Sequence, residues 1–251
     1  MPSVATSQLS QSTYASYEDF KREFDYQGES LYALIFERNR EKIKVSKEKF
    51  AVRNLQKIFA ATFHITPKIG FQAMSLRDLS AETGLSMGGL YSSISSKEAI
   101  ASIVKDVVAV VCAEIVEESL KQDEPLKALQ NLMRGYLYAS TIMQPWFYFL
   151  YFETRSLPQA EHEESKNIER TQVKAIKRLL NQLRPESAAC HQSEFVATMA
   201  LSLIQERYLK PWKYQNAPST IDEYANNCLQ LIYRAICIDE QMPCSSSKAA
   251  S

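Results

Sequence analysis

Three serines spaced ten or eleven residues apart mark the part of this 251-residue chain whose side chains are best arranged to bind a ligand. Ser75, Ser86 and Ser96 each precede a run of helix-forming residues, and a serine hydroxyl at that position accepts a hydrogen bond from a backbone N–H of the first turn. Asp78 follows Ser75 at the third position and predicts a capping box. The segment therefore predicts three helix starts within 22 residues.

Gly84 lies between the first two of these helices. Glycine adopts left-handed backbone at little cost, and that conformation reverses the chain within a few residues. We therefore predict that segments 75–83 and 86–93 cross steeply as a helix-turn-helix. The chemistry of such a unit is non-covalent, since it places one short helix in the major groove of duplex DNA.

The distribution of charge supports a phosphate-binding surface around this motif. Lys and Arg balance Asp and Glu over the whole chain, at 29 each. Between residues 41 and 105, however, ten basic residues stand against five acidic ones, so the basic excess is local. A local basic surface is what binding to a phosphate backbone requires.

Segment 58–97 resembles the N-terminal domain of TetR-family transcriptional regulators. The blocks that carry the resemblance are Gly70-Phe71, Ser75-Leu76-Arg77-Asp78-Leu79, Gly84-Leu85-Ser86-Met87-Gly88-Gly89-Leu90-Tyr91 and Ser96-Lys97-Glu98. They cover about a sixth of the chain at the family's spacing. The resemblance implies an all-α fold with an N-terminal helix-turn-helix domain and a larger helical domain for ligand binding and dimerisation. It also implies a homodimer formed through the last two helices, operator DNA as a partner, and a small hydrophobic effector that releases a repressor from that DNA.

By resemblance, Tyr91 and Lys97 are the best-supported phosphate contacts. Ser75 and Arg77 are the next candidates for such contacts, and the second helix of the motif is expected to face the major groove. Lys47 and Arg53, near the start of the preceding helix, are equally explained as phosphate contacts or as a solvated helix face. The expected DNA-binding set is Lys47, Arg53, Ser75, Arg77, Ser86, Met87, Gly88, Gly89, Tyr91, Ser92 and Lys97.

The chain departs from the family pattern at three places. Ser93 and Ile94 replace the polar aromatic residue and the Phe that the family usually has there. Thr66 and Pro67 predict that the first helix of the domain, which we expect over 46–65, ends or kinks just before the proline. Met87 and Gly89 stand where side chains often reach base edges, and neither offers a strong hydrogen-bond donor. A second hypothesis is therefore a dimeric interaction protein of the same fold with weakened or lost DNA recognition.

The chain divides into four expected segments. Residues 1–45 form an N-terminal extension, partly disordered, whose many aromatic residues predict two short helices broken near Gly28. This extension is outside the family's pattern and could pack on the DNA-binding domain or on a partner subunit. Residues 46–105 form the DNA-binding domain and residues 106–241 the helical ligand-binding and dimerisation domain. Residues 242–251 form a disordered tail.

An aromatic cluster at 145–152 permits two interpretations. Aromatic residues at helical spacing are usually core, and some could instead line an apolar cavity for a small effector. Residues 152–158 are similar to a segment of TetR-family regulators of fatty-acid and acyl-CoA metabolism, and Arg155 could anchor a carboxylate or phosphate or serve as an ion-pair partner. The candidate ligand-binding residues are Met133, Tyr136, Trp146, Phe149, Phe152 and Arg155.

Other classes of function find less support in the sequence. Five cysteines without a C-x-x-C pair indicate a reduced, cytoplasmic protein. The three histidines share no ligand spacing, and no run of about 20 apolar residues is present to span a bilayer. We find no nucleophile elbow, phosphate loop or paired carboxylates. The sequence thus predicts no cofactor and no metal, and an enzyme ranks last among the hypotheses.

Overall fold

The computed structural model describes residues 14–41, 43–45, 47–153, 159–184, 192–217 and 219–237. Over these ranges the chain forms eleven α-helices and one short 3-10 helix, with no strand, so the prediction of an all-α fold is confirmed. Predictions for residues 1–13, Arg155 and the tail 242–251 lie outside the described residues. Over the same ranges, no helix combines the length and apolar character that crossing a bilayer would need.

The N-terminal extension folds into two helices, α1 (Tyr17–Glu23) and α2 (Gly28–Arg38), and Gly28 opens the second as the sequence predicted. Ser16 caps α1 by accepting from the backbone N–H of Asp19. Phe20 and Phe24 on α1 are buried, as are Leu31, Ile35 and Phe36 on α2. Burial of these five large side chains is the reason the segment is ordered.

Helix α3 (Glu48–Ile69) is longer than the sequence predicted, and the expected end before Pro67 is wrong. Proline lacks an N–H and therefore removes one helical hydrogen bond, but the helix continues past it to Ile69. The N–H of Gly70 still bonds to the carbonyl of Thr66 at 2.8 Å, which closes the last turn. Gly70 ends the helix with a positive φ of 79°.

Two short helices follow, α4 (Leu76–Thr83) and α5 (Met87–Ser93). The hydroxyl of Ser75 accepts from the N–H of Asp78, whose carboxylate accepts from the N–H of Ser75, so the predicted capping box is present. Gly84 is left-handed at φ 68° and ψ 13°, as the turn requires. Helices α3, α4 and α5 pack on one another around Leu79 and Leu90, both fully buried.

The larger part of the chain is built from α6 (Lys97–Leu120), α7 (Pro125–Ile142), α8 (Gln144–Glu153), α9 (Gln159–Leu183), α10 (Gln192–Leu209) and α11 (Ile221–Cys237). Helix α7 is central, because it packs against α6, α8, α9, α10, α11 and α1. Most of its residues from Ala128 to Ser140 are buried, because neighbouring helices cover it on several sides.

Candidate DNA-binding surface and ligand cavity

Helix α5 is held in place by contacts on its inner side. Leu90 and Ile94 are buried, and Ser93, which stands in place of an aromatic residue of the family pattern, is also buried. The Ser93 hydroxyl donates to the carbonyl of Gly89 at 3.1 Å and accepts from the side-chain amide of Asn54 on α3, also at 3.1 Å. The departure at Ser93 therefore joins α5 to α3 through a polar contact.

The outer side of α5 is short of side chains. Gly88 is exposed, Gly89 is half-buried, and a methyl group placed on Gly88 would meet no atom closer than 4.0 Å. Met87 is half-buried and packs against the core of the domain. Tyr91 is the large exposed side chain, at 48% of its full exposure. Backbone can thus approach a ligand closely along this helix, and few side-chain donors point away from it.

All three serines of the expected set have their hydroxyls engaged by hydrogen bonds within the helices or at their caps. Ser86 caps α5 by accepting from the N–H of Gly89 at 3.2 Å, and Ser92 donates to the carbonyl of Gly89 at 2.8 Å. Ser75 is exposed, and its hydroxyl belongs to the capping box with Asp78. These hydrogen bonds hold the pKa of the Asp78 carboxyl below its usual range, with the bond from the Ser75 hydroxyl as the largest cause.

Lys97 is half-buried and bonds within the chain. Its ammonium donates to the carbonyls of Phe71 at 3.2 Å and Gln72 at 2.9 Å, and it lies 5.2 Å from the centre of the Phe71 ring. These contacts tie the start of α6 to the turn after α3. Since an ammonium carries three donors, a third hydrogen remains for a phosphate in the position that the resemblance implies.

The exposed basic residues of this region are unpaired. Within the described part of the chain no acidic side chain forms an ion pair with any of them, in contrast to basic residues elsewhere on the surface such as Arg38, Lys105 and Lys166. They lie before and along the start of α3 and on α4: Lys44, Lys47, Lys49, Arg53 and Arg77. A surface with this composition attracts a polyanion, and no ion pair has to be broken when a phosphate binds.

The aromatic cluster on α8 separates into two sides. Trp146 stacks on Phe59 of α3 with ring centres 4.8 Å apart, and Phe149 meets Phe63 and Phe71 edge to face. Phe152, at 40% exposure, packs on Tyr148 near the surface. Trp146 and Phe149 therefore form the packing between α8 and the segment that holds α3 to α5, which is the core interpretation of the cluster.

The other side of α8 faces a cavity of about 300 Å³ in the larger part of the chain. Of the six candidate ligand residues, Tyr136 lines it, while Met133 is buried in the core elsewhere on α7. Apolar side chains cover one part of its wall and polar side chains of α9 and α10 the rest. The lining is Val108, Tyr136, Phe147, Leu150, Tyr151, His162, Ser165, Lys166, Ile168, Glu169, Gln205 and Tyr208.

Polar groups in this cavity are strongly desolvated. Burial raises the pKa of Tyr136 well above its ordinary value, and the same cause raises the pKa of Tyr208, to which Tyr136 is hydrogen-bonded. Both tyrosines are therefore neutral hydroxyl groups at physiological pH. The Nδ1 atom of His162 is buried and has no hydrogen-bond partner among the described residues. The cavity thus presents neutral donors and acceptors beside an apolar wall, with the charges of Lys166 and Glu169 at its edge.

Cysteine chemistry has no support in the described residues. Burial raises the pKa of the Cys112 thiol and raises that of Cys228 to about 11, so neither forms a thiolate readily. In the same ranges, no three His, Cys, Asp or Glu side chains form a group that could hold a metal ion. The side chains of the other three cysteines lie outside the described residues.

Several solved structures of transcriptional regulators share the architecture of this chain. PfmR from Thermus thermophilus, a TetR-family transcriptional regulator, superposes with a TM-score of 0.59 at 20% identity, covering 70% of this chain and 97% of that one. The chain has the TetR-family fold. AibR in complex with isovaleryl coenzyme A and operator DNA matches with a TM-score of 0.60 at 14% identity, over 71% and 97% of the two chains. FadR from Bacillus subtilis in complex with stearoyl-CoA matches with a TM-score of 0.53 at 13% identity, over the same shares.

Neither a family model nor a curated protein matches the sequence. The TetR-fold regulators are covered almost completely, so nearly a third of this chain lies outside what they share with it. The sequence signature in segment 58–97 and the TetR fold therefore agree, although overall identity is low.

Proposed function

We propose that the protein is a homodimeric transcriptional repressor that binds operator DNA through α4 and α5 and is released by a small amphipathic effector. The observation that carries the DNA-binding part is the exposed outer side of α5, together with five exposed, unpaired basic residues on α4, on the start of α3 and on the chain just before it. The TetR fold supports it, and the TetR-fold protein AibR was solved with operator DNA. Since Gly88 leaves the backbone open, contacts to phosphates and DNA shape are expected to contribute more than base-specific hydrogen bonds.

The DNA-binding proposal is tested by fluorescence anisotropy with fragments of the DNA upstream of its own gene, over a series of salt concentrations. We expect the logarithm of the association constant to fall linearly with the logarithm of salt concentration. An Arg77→Ala variant should lower the slope by about one, while a Lys121→Ala variant on the far part of the chain should leave it unchanged. Absence of any binding by the native protein would overturn the proposal.

The effector proposal rests on the cavity beside α8. Its volume of about 300 Å³ is at the lower end of the range for small-molecule sites, about 300–1,000 Å³, which favours a short acyl chain or a small aromatic acid over a long chain. The apolar wall suits the body of such a molecule, and the polar side chains of α9 suit its head group. AibR was solved with a short-chain acyl coenzyme A and FadR with a long-chain one.

A shift in melting temperature tests this site. Isovaleryl-CoA and stearoyl-CoA are the probes, and free coenzyme A is the control for binding through the head group alone. A ligand present at 100 times its dissociation constant stabilises the native state by about 2.7 kcal/mol, which is a readily measured shift. We expect the shorter probe to give the larger shift and a Phe147→Trp variant, which fills the cavity, to abolish it. A Phe152→Trp variant is the matched control, because Phe152 does not line the cavity.

The dimer proposal rests on α10 and α11. Phe195 and Met199 lie one turn apart on α10 at 64% and 42% exposure, and Leu231 on α11 is 56% exposed. Large apolar side chains clustered on the last two helices favour a contact with a second copy. Sedimentation velocity should show a dimer that a Phe195→Glu, Leu231→Glu double variant converts to a monomer. Trp212→Glu, at an exposed position in the 3-10 helix Pro211–Lys213, is the control.

The alternative, a TetR-fold interaction protein without DNA recognition, rests on the lack of donors at Met87, Gly88 and Gly89. It predicts a dimer that binds no fragment of upstream DNA, even at low salt. The anisotropy series therefore distinguishes the two functions directly.

A further inference from the structure

The N-terminal extension contacts both parts of the molecule. Its first helix, α1, packs on α7, and its second, α2, packs on α3. We define the strap as residues 14–41 and 43–45, which include α1, α2 and the linker that leads toward α3.

At one end the strap is anchored to α7 and α11. The backbone N–H of Tyr17 donates to the carboxylate of Asp222 on α11 at 2.9 Å, and the hydroxyl of Tyr138 on α7 donates to the same oxygen at 2.5 Å. The Phe20 ring lies 5.6 Å from the ring of Tyr138. One carboxylate thus connects three helices, and burial of Phe20 seals the contact.

The middle of the strap contacts α3, α6 and α8. Arg38 makes two hydrogen bonds of 2.8 Å to Asp106 of α6, a bidentate geometry that fixes orientation. The ring of Tyr32 lies 6.3 Å from both Phe59 of α3 and Trp146 of α8. The strap therefore follows the packing between α8 and the DNA-binding domain.

At its other end the strap holds α5 directly. The backbone N–H groups of Lys44 and Val45 donate to the carbonyl of Ser92 at 2.8 and 3.3 Å. That carbonyl is in the last turn of α5 and has no partner within the helix. Helix α5 has seven residues and includes Gly88 and Gly89, each of which weakens a helix relative to alanine, so it depends on such outside contacts.

Helix α7 places the strap next to the cavity. Tyr136 lines the cavity, and Tyr138, two residues later, contacts the strap. Gly135 lies against the ring of Tyr14, where an added methyl group would come within 2.8 Å. A change in α7 that accompanies ligand binding therefore meets the strap without an intervening layer.

We propose that the strap positions α5 and couples it mechanically to α7. The positioning part stands on the hydrogen bonds to Ser92 alone. The regulatory part rests on the proposed function, since it requires an effector in the cavity and DNA on α5. Coupling of this kind needs an element whose position both sites change, and the strap contacts both.

Hydrogen exchange of α5 amides in a Phe20→Ala variant tests the proposal. Phe20 lies on α1, which packs on α7. We expect amide exchange at Leu90 and Ile94 to quicken about tenfold or more, because a strap loosened at one end no longer holds the other. A Leu180→Ala variant on α9, buried to a similar degree, is the control and should leave exchange in α5 unchanged.

Tyr17→Pro provides a second, milder variant if Phe20→Ala does not fold. Tyr17 is the first residue of α1, a position where proline fits. Tyr17→Pro and Tyr17→Ala both remove the tyrosine ring, but only the proline also removes the backbone N–H that donates to Asp222. Faster exchange in α5 for Tyr17→Pro than for Tyr17→Ala supports the strap.

The strap proposal is overturned if amide exchange quickens only in α1 and α7, or if exchange in α5 quickens equally in the Leu180→Ala control. The same variants should bind upstream DNA about tenfold more weakly than the native protein. If the native protein binds no DNA, the proposed function falls, while the exchange measurement still decides the strap.

Discussion

The helix-turn-helix segment, α3 to α5, and the larger helical part, α6 to α11, are stabilised in different ways. Helices α4 and α5 are short and are defined by local devices, namely the capping box at Ser75, the left-handed Gly84 and the cap at Ser86. The larger domain depends on contacts between residues far apart in the chain, and α7 is buried on nearly every side. Helix caps and glycine turns can be predicted from the sequence, whereas the side on which a buried helix contacts each neighbour depends on the whole fold.

The largest effect we expect is at Trp146, where the two parts meet. Trp146→Ala removes a buried ring that stacks on Phe59 and meets Phe63 edge to face, so the free energy of unfolding should fall by roughly 3–5 kcal/mol. Urea denaturation measures it. Phe152→Ala on the same helix, at a half-exposed position, should cost less than about 1 kcal/mol. Equal losses would mean that the two parts are not joined through α8.

The next largest effect concerns the proposed phosphate contacts at Lys97 and Tyr91. Lys97→Ala and Tyr91→Phe should each weaken binding to all DNA sequences alike, by roughly tenfold for the lysine, since a hydrogen bond to a charged group contributes about 1.5–3 kcal/mol. Anisotropy at several salt concentrations on two unrelated duplexes provides the measurement. Lys97→Ala should also loosen the turn at Phe71 and Gln72, which Lys97→Arg should partly restore. An unchanged affinity for both variants would contradict the phosphate assignment.

The sequence predicted the helix-turn-helix more fully than the cavity beside α8, for a physical reason. Caps and turns act within four residues, so Ser75, Gly84 and Ser86 could be assigned from spacing alone. On α8, helical spacing suggested Trp146, Phe149 and Phe152 as ligand-binding residues, while the cavity is lined by Phe147, Leu150 and Tyr151. Both sets have helical spacing and both are aromatic or apolar. Only the packing of α3 against α8 decides which set contacts α3 and which set faces the cavity.

The extension and α3 show the same limit. Apolar spacing predicted two short helices near Gly28, and the structure has them, but nothing in the sequence indicates the hydrogen bonds from Lys44 and Val45 to Ser92. Pro67 suggested a helix end, and long-range packing of α3 against α2 and α8 carries the helix past it. Tertiary packing determines the structure, against the local sequence preference, most readily where the free-energy penalty of the local conformation is small.

A smaller effect distinguishes local from long-range stabilisation of α5. Ser86→Ala removes the N-cap that accepts from Gly89, at a cost of about 1 kcal/mol. Because α5 is at the edge of the molecule, we expect faster amide exchange at Leu90 with little change in the overall melting temperature. Ser86→Asp restores an acceptor and should recover the native exchange rate. A large fall in melting temperature would instead show that α5 folds as one unit with the larger domain.

The smallest effect is at Gly88, where stability and DNA binding should move in opposite directions. Gly88 has ordinary helical backbone and open space around an added methyl group, so Gly88→Ala should stabilise α5 by about 0.5–1 kcal/mol. If the α5 backbone approaches DNA closely, the same methyl group occupies the space that DNA needs, and affinity falls while amide exchange slows. Slower exchange with unchanged affinity would place Gly88 outside the interface with DNA. Since the substitution leaves every charge in place, the salt dependence of binding should be the same in both proteins, which separates a steric loss from an electrostatic one.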